Sequence, residues 1–153
     1  MDGPWLSDLE SWTYVGDILP RNSRPEGIYF RPKVIFNRKT NKYVLWINHL
    51  APASTPLVSY PDARFLVATS DTSIGPFEIV NEKADIEIEG GGDFDLLVDP
   101  NDPESSAYLA YDAWGNNHAV VVEKLSEDYT NSLGSNGSSG QIRNVLFDFH
   151  NLF

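Results

Sequence analysis

The chain has 153 residues, room for one domain with a substantial core and too few for two ordinary ones. Twenty-two acidic residues against eleven basic ones give a formal net charge of −11, a surface that repels phosphate backbones and anionic lipid, so neither nucleic acid nor a membrane is an expected partner. The absence of cysteine excludes a disulfide framework and any Cys-ligated metal, and no cofactor is expected.

Taken in chain order, the predicted elements are strands. No segment carries a convincing helical stripe, and period-two alternation dominates. The start, Met1 to Trp5, shows no basic segment followed by an apolar run, and no apolar stretch approaches membrane-spanning length. Residues 12–19 read as a first short strand. Residues 32–36 and 43–47 read as the arms of a hairpin around the polar turn 37–42, with strong β residues on both arms. The Pro-rich stretch Ala51 to Pro61 is a loop, residues 64–69 a strand, 70–76 a turn and 77–80 a short closing strand.

The order then repeats. Gly90-Gly91-Gly92 precedes a strand over 93–98, an Asp/Asn/Pro-rich turn spans Asp99 to Ser106, and strands follow at 107–111 and 119–123. Units of four short antiparallel strands, starting about sixty residues apart, are the pattern of propeller blades. An ordinary β-sandwich with similar hairpins is the alternative. The stretch 131–140 is Ser/Gly/Asn-rich and reads as a flexible loop containing the sequon Asn136-Gly137-Ser138. An apolar end, Val145 to Phe153, follows it without a partner hairpin.

Several chemistries find no support. The turn from Asp99 to Glu104 lacks the Gly and the distant Glu of an EF-hand and holds two prolines, so a solvated turn is expected. No Gly-x-Ser-x-Gly elbow, Walker loop or dinucleotide fingerprint is present. Four Trp, seven Tyr and eight Phe are many for this length and suit either core filling or the stacking floors that sugar rings prefer.

Four segments in order carry a resemblance. They are Ser7-Asp8-Leu9-Glu10-Ser11-Trp12; Arg31-Pro32-Lys33-Val34-Ile35-Phe36-Asn37 with Tyr43-Val44-Leu45-Trp46; Val67-Ala68-Thr69-Ser70-Asp71 with Gly75-Pro76-Phe77; and Gly92-Asp93-Phe94-Asp95-Leu96-Leu97-Val98-Asp99 with Ala107-Tyr108-Leu109 and Leu125 to Tyr129. Together, over residues 7–130, they resemble glycoside hydrolase family 43, its galactanase-like branch in particular. The resemblance implies an all-β fold, here about two four-stranded antiparallel blades of a five-bladed propeller, with a carbohydrate substrate bound at one end of the central channel. It divides the chain into a partial propeller over 1–130 and a Gly/Ser-rich loop with a divergent tail over 131–153.

Inverting hydrolysis needs an acid on the leaving oxygen and a base on the opposite face. The family resemblance adds a third carboxylate that tunes the acid's pKa, and it distributes base, tuner and acid over the first, third and fourth blades. Asp93 falls at the tuner's position; its bland alternative is a cap on the strand after the three glycines. Asp95 points the same way by alternation and is expected to bind neighbouring backbone. Phe30 stands where galactanase-like relatives often carry Glu, which leaves an apolar wall and departs from galactan specificity. Arg31 either pairs with a carboxylate or faces solvent. Trp46, Trp114 and His118 are further candidates for sugar contact, with core packing or loop filling as the competing role. The base strand would precede Ser7 and the acid strand would follow the Gly/Ser loop, where residues 141–153 contain no Glu. The expectation is therefore a fragment of a glycosidase, inactive as the isolated chain and inclined to self-associate through exposed blade faces. A non-catalytic carbohydrate-binding or interaction domain is the alternative. The family is usually secreted, which implies an extracellular setting, although no secretory signal is visible.

Overall fold

The computed structural model describes residues 14–52, 63–114, 118–134 and 144–147. Strands β1 (Ile28–Asn37), β2 (Lys42–Leu50), β3 (Ala63–Ser70) and β4 (Glu78–Asn81) form one antiparallel sheet in that order, and β5 (Gly91–Val98), β6 (Ala107–Ala113), β7 (Ala119–Lys124) and β8 (Asn144–Phe147) form a second. Each sheet is a simple up-and-down meander. The pair matches two consecutive blades of a partial β-propeller, with β1 and β5 as corresponding first strands.

Turn chemistry explains why the hairpins close where they do. Asn37 is buried and its Oδ1 accepts hydrogen bonds from the amides of Lys39 (2.9 Å) and Thr40 (3.1 Å), while its amide donates to the Glu127 carbonyl at 2.8 Å. In the second sheet Asp99 accepts from the Asn101 amide at 2.8 Å, and Asp102 accepts from those of Glu104 (2.9 Å) and Ser106 (3.2 Å). These carboxylates are turned onto their own backbone, as a solvated turn requires.

Alternation along each strand decides the packing. Val44 and Trp46 of β2 and Phe65 and Val67 of β3 face the second sheet, where Phe94, Leu109, Tyr111 and Val121 meet them in one shared core. Phe65 lies 4.8 Å from Phe94 and 5.8 Å from Tyr111, ring centre to ring centre. Burying each such side chain contributes roughly 1.5–3 kcal/mol. The other face of β2 and β3, through Leu45, Ile47, Leu66 and Ala68, is covered by Leu19 and Phe77. The link between the sheets is fastened by Glu123, whose carboxylate accepts from the Glu87 amide (2.9 Å), the Tyr111 hydroxyl (2.7 Å) and the Ser132 hydroxyl. Burial first, and that bond to Glu123 second, push the Tyr111 hydroxyl far above its ordinary pKa.

Two expectations meet a different structure. The predicted strand over 12–19 is not one in its described part, 14–19: Tyr14 is 81% exposed, its hydroxyl donates to Asp17 at 2.7 Å, and Gly16 adopts a φ of 114° that breaks an extended run. The tail also departs from expectation, because β8 lies within it and pairs with β7 as the fourth strand of the second sheet. Most of the loop from Ala51 to Pro61 lies outside the described residues.

Candidate sugar site

Both first strands carry a bulge near their start. Phe30 pairs with Asn48 and Lys33 with Trp46, so Arg31 and Pro32 together face one residue of β2. In β5, Gly91 pairs with Ala113 and Phe94 with Tyr111, which leaves Gly92 and Asp93 in the same relation to β6. The bulges turn side chains out of the alternation that seals the core.

What they present is charged. Arg31 Nη2 lies 2.5 Å from Asp93 Oδ1, joining the two first strands across the blades, with side chains 44% and 71% exposed. Lys33 reaches Asp95 at 3.2 Å one step further along. Asp95 also accepts from the Leu96 amide at 2.9 Å, and this backbone bond, with Lys33 behind it, holds its carboxyl below the usual range. Arg31 adopts a φ of 55° although it precedes a proline, a conformation L-residues avoid. Backbone held in such a region concentrates at functional sites.

Around this pair the candidates separate. Phe30 has the Arg31 guanidinium 5.8 Å from its ring centre and lines, with Pro32, Ile18 and Ile47, a cavity of about 350 Å³. Trp114 and Asp112 gather beside Gly92, and His118 joins them through Asp112. A Cβ at Gly92 would collide with the Trp114 indole nitrogen and come within 3.1 Å of Asp112 Oδ2, so only glycine admits the indole there. His118 Nδ1 lies 2.9 Å from Asp112 Oδ2. Trp46 goes elsewhere: it is fully buried in the core and its indole N–H donates to the Tyr129 carbonyl at 2.8 Å, which removes it from the sugar-contacting set. Among the described residues no three His, Asp or Glu side chains converge as a metal would need.

A scan against family models and a search of curated proteins each find no match. Solved structures do match. An exo-β-1,3-galactanase from Phanerochaete chrysosporium, solved with galactose, is 27% identical with a TM-score of 0.67 over 83% of this chain and 29% of its own. An exo-β-1,3-galactanase from Clostridium thermocellum is 28% identical with a TM-score of 0.66, over 82% of this chain and 28% of its own. A family 43 β-1,3-galactosidase gives 28% identity and a TM-score of 0.65 over 82% of this chain and 26% of its own.

This chain has the galactanase-like fold of glycoside hydrolase family 43. It spans under a third of the length of those galactanase-type chains. The bulged starts of β1 and β5 lie on the first strands of the two neighbouring sheets, which is why residues far apart in sequence meet there. Two participants escaped the sequence. Asp112 was legible only as an outward polar residue one step before Ala113, and its partner His118 lies across a turn. Asn48 alternates with Val44 and Trp46 on a core-facing row, and a polar residue in that row was the available signal.

Proposed function

We propose that this chain serves the hydrolysis of O-glycosyl bonds in a polysaccharide or oligosaccharide, and that its own contribution is recognition of a terminal galactoside around Asp93, with Phe30 offering an apolar wall in place of the hydroxyl partner that a Glu would supply there. The observation that carries it is the exposed Asp93 carboxylate beside Arg31 at the bulged start of β5. A pair this exposed adds little to stability, at most about 1 kcal/mol. Strain at Arg31 for so small a return is better explained by a ligand. Solved relatives hold galactose and β-1,3-galactotriose. A galactose ring offers equatorial and axial hydroxyls to Asp93 and Arg31, and an apolar face to Phe30 or Trp114.

In the hydrolytic scheme Asp93 is the tuner: its negative charge near the acid keeps that acid protonated at working pH. One tuner does not cleave a glycoside, which needs both a proton donor and an activated water. The chain by itself is therefore expected to bind without turnover. Titration calorimetry with β-1,3-galactobiose, alongside a reducing-sugar assay, tests this. Binding without turnover is expected, weakened at least tenfold in Asp93→Asn, a loss of about 1.4 kcal/mol. Equal binding by both proteins would remove Asp93 from the site. Turnover abolished by Asp93→Asn would make the chain a complete catalyst and overturn the recognition-only role.

A further inference from the structure

A bulge leaves backbone groups without ladder partners, and where the backbone is buried its freed carbonyls need donors from elsewhere. At the β5 bulge the carbonyls of Gly91 and Gly92 both accept from one side chain, the Asn48 amide, at 3.0 and 2.7 Å. Asn48 is 1% exposed and lies in β2, an inner strand of the other sheet. Its backbone partner on β1 is Phe30, the last paired residue before the bulge that carries Arg31. One residue thus touches both irregularities: it borders the first and clamps the second. Its Oδ1 is buried with no hydrogen-bond partner among the described residues, a cost that an apolar residue in this core-facing row would avoid. A primary amide offers two donors from one nitrogen to two adjacent carbonyls without bringing a charge into this buried row.

We infer that Asn48 is a positioning residue that fixes the β5 bulge and thereby aims Asp93 at Arg31 and at the sugar; this rests on the assignment of Asp93 to galactoside recognition. The Asn48 amide bonds to the Gly91 and Gly92 carbonyls and not to the Arg31–Asp93 pair. It acts through the backbone on either side of Gly92, and Asp93 is the next residue.

A four-corner cycle on the full chain tests it, with wild type, Asn48→Ala, Asp93→Asn and the double variant titrated with β-1,3-galactobiose. Asn48→Ala is expected to weaken binding on the order of tenfold where Asp93 is present, and to add nothing where Asp93 is already Asn. Asn48→Ser, which keeps one donor and disturbs the core less, is expected to fall between, and it replaces Asn48→Ala in the cycle if that variant does not fold. Equal losses in both backgrounds would make Asn48 a core residue only and overturn the inference. The second readout needs no sugar: the Asp93 amide and Arg31 Nε–H signals in nuclear magnetic resonance spectra of the free protein. Both are expected to move in the Asn48 variants, and unmoved signals would overturn the positioning role. A wild type that binds no galactobiose would sink the assignment of Asp93 and leave the Asn48 clamp to be judged by those signals.

Discussion

Arg31 is held in the left-handed region at the residue before a proline, where a side chain and the following ring both resist it. Glycine has no such penalty, so Arg31→Gly is expected to be more stable than Arg31→Ala by about 1 kcal/mol in urea unfolding, the reverse of the order in a regular strand. The opposite order would mean that residue 31 is ordinary extended backbone in solution. Neither variant should lose much from the ion pair itself, since both partners are well solvated. The type of residue 31 was legible in the Arg-Pro-Lys segment. Its conformation was not, because a bulge depends on how β2 pairs with β1 and that pairing is not written in either strand alone.

At the scale of elements, the loop after β7 shows how local hydrogen bonding supports distant packing. Asp128 accepts from the hydroxyls of Ser126 (2.6 Å) and Thr130 (2.8 Å), and the next residue, Tyr129, presents its carbonyl to the buried Trp46 indole of the other sheet. Partial burial pushes the Asp128 carboxyl upward, but the bonds from Ser126 and Thr130 outweigh it and leave its pKa below the ordinary value. A folded-state value below the unfolded one, near ~3.9, stabilises the protein above that pH and is lost as pH falls through the folded value. The stability difference between wild type and Asp128→Asn should therefore hold from neutral pH to about 5 and close below about 4. A difference that persists at low pH would show that Asp128 acts through shape and not charge. The strands from β1 to β7 were legible because β-branched and aromatic residues alternate between turn-forming clusters. Residues 14–19 misled because Tyr and Val favour strands even where no neighbour covers them. β8 was missed because four residues beyond a Gly/Ser-rich stretch carry too short a pattern to separate from a tail.

For the whole molecule, the shared core decides which residues remain available for function. Alternation placed Val44, Trp46 and Asn48 on one face of β2, but not whether that face met solvent, a sugar or another sheet. The second sheet settles it, sealing Trp46 inside with Phe65 and Tyr111 and leaving the bulged strand starts as the exposed, charged edge. Arg31 and Asp93 meet only because the two sheets stack, so their pairing was legible from the family resemblance as two separate positions and not as one site. The most direct measurement is therefore a map of where a galactoside binds. Amide and indole signals of the full chain should be followed by nuclear magnetic resonance as β-1,3-galactobiose is added, in wild type and in Asp93→Asn. Shifts centred on Phe30, Arg31, Gly92, Asp93 and the Trp114 indole, largely lost in the variant, are the expected result. Shifts at none of these, or only at the opposite hairpin end around Lys39 and Glu104, would contradict a sugar site at the bulged edge.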